Sequence, residues 1–197
     1  MSRCRWFVYL SLVFFFNLFQ PYTVWARASQ KTTQEETAIL AGGCFWGVEE
    51  LFRQLKGVLA TEVGYTGGVI PHPTYDLVKK GQSGHAEAIQ VKFDPSQMTY
   101  ENLLKFFFKI HDPTTLNQQG NDIGSQYRSA IFYQNEEQRK TALKVKELVE
   151  ASGLWKKPLV TEIVKAKVFY SAESYHQKYL KNNPTGYTCH YIRDFKF

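Results

Sequence analysis

"AILAGGCFWGVEELFRQL", residues Ala38 to Leu55, changes its period halfway through. Ile39 to Ala41 is a short apolar run that stops at Gly42-Gly43, as a buried strand does at a tight turn. From Phe45 onward, Phe45, Val48, Phe52 and Leu55 recur at helical spacing with Leu51 beside them, and Gly57 is the expected helix stop. A strand, a glycine turn and a helix therefore follow one another, with Cys44 at the junction.

Outward from that junction the chain alternates strands and helices. "VLATEVGYTGG" reads as a strand running into a glycine-rich loop, which continues through "VIPHPTYDLVKKGQSG" as a site-forming segment. In "HAEAIQVKFDP", Glu87, Ile89, Val91 and Phe93 point one way and Ala88, Gln90 and Lys92 the other, so a half-buried strand is expected. "TYENLLKFFFKIHD" is a helix capped by Thr99, with Leu103, Leu104, Phe107 and Phe108 inward. A polar loop, "PTTLNQQGNDIGSQ", leads into a strand at "YRSAIFY". Asn135 to Ser152 is an amphipathic helix ending at Gly153, with Ala142, Val145, Leu148 and Val149 inward; "LVTEIVKA" is the next strand. The rest is mostly loop and short helix. The expected architecture is an α/β (α+β) two-layer sandwich with a mixed or antiparallel sheet, ferredoxin-like, with long site-forming loops and an irregular C-terminal tail.

The N-terminus reads differently. Arg3 and Arg5 precede an apolar run from Trp6 to Phe19, and Ala26 and Ala28 frame a small-x-small pattern. That is the form of a secretory signal peptide over 1–28, and the run is short for a membrane anchor, the second choice. An exported location, a flexible polar lead-in over 29–37 and one catalytic domain over 38–197 are expected. The formal charge is +6, of which Arg3, Arg5 and Arg27 supply half. The remaining charges are interspersed, which gives no nucleic-acid footprint.

Without the leader, the cysteines are Cys44 and Cys189. In an oxidising compartment two cysteines ordinarily form one structural disulfide, which would suit a secreted binding domain. The local sequence points elsewhere. A cysteine at a helix start lies near unpaired N–H groups that favour thiolate, the nucleophilic form. Trp46 falls opposite the apolar stripe, on the side of Glu50 and Arg53, where it is wasted as core. Phe45 and Trp46 can form an apolar pocket over the sulfur. Glu87 is a carboxyl aligned with apolar neighbours, where burial raises the pKa and permits acid catalysis, although a strand's first residues can also be solvated. Tyr75, Tyr127 and Asp122 lie in or beside the loops, and each taken singly reads as structural.

Six stretches, "GGCFWG", "PTYDLV", "GHAEAIQVKFDP", "NDIGSQYRSAIFY", "SAESYHQKYL" and "NPTGYTCHYIR", resemble the ordered motif set of the A-type peptide methionine sulfoxide reductases, from about Ile39 to Arg193. The resemblance implies a cofactor-free, metal-free thiol chemistry. It gives Cys44 the attack on the sulfoxide sulfur, Phe45 and Trp46 the substrate methyl group, and Glu87 the proton for the sulfoxide oxygen. Tyr75 and Tyr127 would bond that oxygen and Asp122 would order the site. Cys189, in a segment loosened by Asn183, Pro184 and Gly186, would resolve the Cys44 sulfenic acid. No further cysteine follows it, so a thioredoxin-like reductant is expected to open the disulfide directly. The implied substrates are free methionine S-sulfoxide and oxidised proteins; a monomer is expected, although nothing in the sequence fixes the oligomeric state. Another enzyme class stays open: Cys44 with His176 and Asn182 superficially resembles papain-like order, although His176 also reads as a core-edge histidine.

Overall fold

The structure, a computed structural model, describes residues 35–197. The leader read over 1–28 and most of the lead-in lie outside the described residues. In chain order the elements are β1 (Glu36–Gly42), α1 (Phe45–Phe52), β2 (Val58–Thr66), α2 (Tyr75–Lys79), β3 (Ala86–Phe93), α3 (Tyr100–Ile110), β4 (Gln118–Gln119), β5 (Asp122–Ile123), β6 (Ser129–Tyr133), α4 (Glu136–Ala151), β7 (Glu162–Lys165), β8 (Tyr170–Ser171) and α5 (Tyr179–Asn182).

Six strands form one sheet in the order β7-β6-β1-β3-β2-β8. Its centre, β6-β1-β3-β2, is the ferredoxin-like arrangement built by β1-α1-β2-β3-α3-β6. Neighbours pair antiparallel except β6 and β7, which are parallel and need the crossover that α4 supplies. The mixed two-layer architecture expected from the sequence is the one observed.

The strand alternation decides which side chains the helices cover. Ala38 and Leu40 of β1, with Ile89, Val91 and Phe93 of β3, join Phe45, Val48 and Phe52 of α1 and Leu103, Leu104, Phe107 and Phe108 of α3 in the main core. Ile39, Ala41, Ala86 and Ala88 fill a smaller cluster on the other face. Burying a phenylalanine of this core contributes about 1.5–3 kcal/mol, and cutting Phe107 to alanine is expected to cost about 3–5 kcal/mol. Thr99 caps α3 as expected, its hydroxyl accepting from the Asn102 N–H.

Several local expectations need correction. β1 begins at Glu36, so the lead-in ends before 37, because Glu36 and Thr37 pair with Phe93 and Lys92. α1 stops at Phe52 rather than at Gly57; Gly57 instead turns the chain with φ +92 and accepts from the Asp94 N–H. Leu148 is 38 % exposed, because the buried row of α4 runs through Gln138, Ala142, Val145 and Val149 and leaves it on the flank. The glycine-rich loop holds the short helix α2, the polar loop holds the β4-β5 ribbon, and the tail contributes β8. Each is too short to show a period. Among the described residues no helix is long and apolar enough to cross a membrane.

Candidate active site

Gly42 ends β1, and Tyr65 of β2 lies opposite Glu87 of β3, so strand termini and α1 converge at one end of the sheet. Gly43, with φ +99, turns the chain from strand to helix and places Cys44 at the α1 N-cap. That backbone conformation is strained for any residue with a Cβ. Cys44 is 7 % exposed.

The thiol does not follow the expectation of a lowered pKa. Burial pushes it well above the ordinary thiol range, the Glu87 carboxylate adds to this, and a hydrogen bond from the Trp46 N–H opposes both. The physical reason is that α1 has only eight residues while desolvation of a buried sulfur is large. The resting site therefore holds a thiol.

Glu87 sits where strand alternation placed it, on the helix-covered face and 2 % exposed. Its Oε2 accepts the Phe45 backbone N–H at 3.1 Å. Burial pushes its carboxyl up to about 8, Asp122 adds to the rise, and the Phe45 N–H restrains it. It is an acid that keeps its proton near neutrality.

A cavity of about 230 Å³ is lined by Cys44, Phe45, Trp46, Tyr75, Glu87, Asp122, Tyr127 and Tyr187. Seven of these are the residues singled out in the sequence, Cys189 being the eighth residue so marked, and Tyr187 was missed. Tyr75 begins α2, and Tyr127 ends a 3-10 turn at Ser125–Tyr127. Burial pushes the Tyr75 hydroxyl up to about 12, with Glu87 contributing, and raises Tyr127 in the same way, so both remain neutral donors. Larger clefts of about 620 Å³ beside the starts of α3 and α4, 530 Å³ along β2 and β8, 370 Å³ beside Gly68 and His85, and 250 Å³ beside Arg53 and Lys181 contain no cysteine.

Trp46 closes one wall through partners that the helix period could not show. Its Nε1–H donates to Nδ1 of His176 at 3.0 Å, and its ring stacks on Tyr179 at 3.9 Å. His176 is buried against Phe45, Tyr75 and Tyr175. Its one acceptor nitrogen is taken by Trp46, while Nε2 faces Glu173 at 3.9 Å. The papain-like pairing of Cys44 with His176 is thereby corrected: His176 orients the tryptophan. A signal did exist, since a polar-side Trp needs a partner for its N–H.

Cys189 and Cys44 are both free thiols in this structure. Sγ of Cys189 donates to Oδ2 of Asp122 at 3.4 Å, and the Tyr187 hydroxyl donates to the same oxygen at 3.1 Å. Burial and the Asp122 carboxylate push the Cys189 thiol up to about 12. Asp122 thus joins the pocket to the tail, which is seated against α1 rather than loose.

Residues 36–196 match the family model described as peptide methionine sulfoxide reductase. A peptide methionine sulfoxide reductase MsrA of Mycolicibacterium gilvum is 55 % identical over 161 residues, covering 82 % of this chain and 93 % of that protein. Mxr1 of Saccharomyces cerevisiae in reduced form superposes with a TM-score of 0.76 at 40 % identity, over 81 % of this chain and 93 % of the other. Mxr1 in complex with Trx2 superposes with a TM-score of 0.55 at 30 % identity, over 81 % and 91 %.

Proposed function

The chain belongs to the peptide methionine sulfoxide reductases, and on that premise we propose that Cys44 attacks the sulfur of methionine S-sulfoxide while Glu87 protonates its oxygen. The reaction is thiol-dependent reduction of methionine sulfoxide, free or in proteins, to methionine. The observation that carries the assignment of roles is the meeting of a thiol and a buried neutral carboxyl in one cavity, tied through the Phe45 N–H.

A sulfoxide oxygen leaves sulfur only when protonated, and the nucleophile must arrive without its proton. These opposite demands are met in sequence. Glu87, charged with a proton up to about pH 8, gives it to the oxygen as that oxygen gains charge. The resulting carboxylate receives the Cys44 thiol proton as sulfur attacks. Sulfenic acid forms on Cys44, methionine leaves, and Glu87 ends as it began. Tyr75 and Tyr127 donate to the oxygen, and Asp122 orders the site. Phe45 and Trp46 receive the methyl group, with Trp46 held by His176 and Tyr179.

Cys189 then condenses with the sulfenic acid, giving the Cys44-Cys189 disulfide and water. A thioredoxin-like protein reduces that disulfide, as the Mxr1 complex with Trx2 supports. The assay supplies each epimer of a blocked methionine sulfoxide with excess dithiothreitol and follows methionine. Consumption of the S epimer alone, lost in Cys44→Ser, is the expected result. Product from neither epimer by the reduced wild type would sink the assignment.

We also infer export. Arg3, Arg5, the apolar run to Phe19 and the Ala26-x-Ala28 pattern carry this reading, and the clients would be oxidised exported proteins. Intact mass of the protein from fractionated cells tests it: a chain beginning at Ser29 outside the cytoplasm supports export, and a full-length cytoplasmic chain refutes it.

A further inference from the structure

Cys189 is held by its two neighbours. The His190 ring is 7 % exposed, and its Nε2 is 2.7 Å from the carbonyl oxygen of Gly42. A carbonyl only accepts, so the ring proton lies on Nε2 and Nδ1 keeps its lone pair. That lone-pair nitrogen lies 3.6 Å from Sγ of Cys189. The His190 backbone N–H donates to Oγ1 of Thr188 at 3.1 Å, folding the tail tightly around the cysteine.

The seat for this ring is made by missing side chains. A Cβ on Gly47 would collide with Oγ1 of Thr188 and stand 2.5 Å from Nδ1 of His190. A Cβ on Gly43 would run into the Gln119 side chain and stand 3.2 Å from Nε2 of His190. The glycines on either side of "CFW" thus leave the space that His190 fills, and the tail thiol is fixed to the same turn that carries Cys44.

We propose that His190 is the base that accepts the Cys189 thiol proton when Cys189 closes the disulfide with Cys44, its bond to Gly42 fixing the ring in the competent tautomer. The proposal rests on the reductase reading. In the step, the Cys189 sulfur gives an electron pair to the Cys44 sulfur, the S–S bond forms and the S–O bond breaks. The thiol proton passes to Nδ1 of His190, and the departing hydroxide takes the Glu87 proton to become water. His190 then returns its proton through solvent to Glu87. Cys189 is oxidised and the sulfenic sulfur of Cys44 reduced, so no further redox partner enters. A neutral imidazole suffices because the thiol proton becomes strongly acidic as the sulfur donates its pair.

The other candidate base is Asp122. Its Oδ2 accepts the Tyr187 hydroxyl and, at 3.4 Å, the resting Cys189 thiol, so the S–H must turn from Asp122 to Nδ1 of His190 before transfer; the Asp122 charge raises the thiol rather than releasing its proton. Burial keeps His190 neutral, supported by Arg193 and opposed by Asp122 and the bond to Gly42. His111, itself buried and held down to about 3, is the remaining titratable neighbour besides Cys189.

The test mixes reduced full-length protein with one equivalent of methionine S-sulfoxide and no reductant, then reads methionine and loss of both thiols separately in quenched samples. His190→Gln keeps an N–H for Gly42 but has no base; it is expected to close the disulfide on the order of 10²-fold more slowly than it releases methionine, relative to wild type. His190→Ala is expected to regain disulfide closure with added imidazole. In wild type, closure is expected to fall as the pH drops below the ordinary histidine range, about 6.5, and His190→Gln is expected to lose that fall. Closure by folded His190→Gln at the wild-type rate and pH profile overturns the proposal. So does a pH profile erased by Asp122→Asn and kept by His190→Gln, which assigns the base to Asp122. If neither histidine variant folds, a wild-type closure rate that stays flat as the pH falls below the ordinary histidine range, down to the acid limit of the folded protein, overturns it. Absence of methionine from wild type would instead refute the reductase reading.

Discussion

The backbone N–H of Phe45 donates to Oε2 of Glu87 across 3.1 Å, so the first turn of the helix that carries the nucleophile also grips the acid. The bond fixes the carboxyl beside Cys44 and tempers its rise in pKa, yet burial wins and the proton is held up to about pH 8. The rate of methionine formation in a single turnover is therefore expected to fall as pH rises through about 8. Glu87→Gln keeps the acceptor for Phe45 but cannot give a proton. It is expected to lower that rate on the order of 10²-fold or more and to flatten the pH profile. A Gln variant with the wild-type profile would assign the acid elsewhere.

The same carboxyl has a cost to the fold. Its folded pKa is raised, so its favourable contribution is complete below the unfolded carboxyl range and is lost as pH rises through about 8. Glu87→Gln removes that loss. The variant is expected to gain stability over wild type across this interval, by a few kcal/mol at most. Denaturant unfolding of both proteins at low and high pH measures the difference. A constant gap across the interval would show that Glu87 stays charged in the fold.

Cys44 should titrate as a buried thiol. Alkylation of the reduced Cys189→Ser protein is expected to keep accelerating with pH beyond the ordinary thiol range of about 8.5, without a plateau near neutrality. Glu87→Gln in that background removes a carboxylate that raises the thiol, so alkylation at alkaline pH should quicken. A plateau below pH 7 would mean a resting thiolate and would favour the helix-end argument over burial.

That contest between helix end and burial marks how far the sequence could be read. Alternation in β3 put Glu87 on the buried face, and the period of α1 put Trp46 off the core, because each signal is local to one element. The short elements α2, β4, β5 and β8 were invisible because two to five residues carry no period. Leu148 was misplaced because a helix stripe has edges that only packing resolves. The seat of the tail was hidden for a different reason: His176 meets Trp46 across 130 positions and His190 meets Gly42 across 148, and no local pattern encodes such pairs. The family resemblance supplied the roles of Tyr75, Asp122 and Tyr127, which the residues alone left as ordinary structural positions, and of Cys189, which they left as half of a structural disulfide.

Cys189→Ser should separate the two halves of the cycle. It is expected to release one methionine per chain and then stop with thioredoxin as reductant, leaving sulfenic acid trapped on Cys44. A small dithiol can reach that sulfenic acid, so turnover with dithiothreitol is expected to persist, at a reduced rate. A dimedone adduct on Cys44 in the variant, absent in wild type, identifies the intermediate. Full thioredoxin-driven turnover by Cys189→Ser would remove Cys189 from the mechanism.

Gly47 gives the sharpest separation of stability from function. It lies inside α1, where alanine ordinarily favours a helix by about 0.5–1 kcal/mol. Yet the new methyl would stand 2.5 Å from Nδ1 of His190 and against the Thr188 hydroxyl. The ring cannot retreat without breaking its 2.7 Å bond to Gly42, and Thr188 is tied to the His190 N–H. The tail must therefore lift while the core under α1, built on Phe45, Val48 and Phe52, is untouched. Gly47→Ala is expected to unfold within about 1 kcal/mol of wild type, because the helix gain offsets part of the lost tail contacts. It should form the Cys44-Cys189 disulfide at least tenfold more slowly and expose the segment after Asn183 to proteolysis. Wild-type disulfide closure with a protease-resistant tail would show that the seat formed by Gly47 does not hold Cys189 in place.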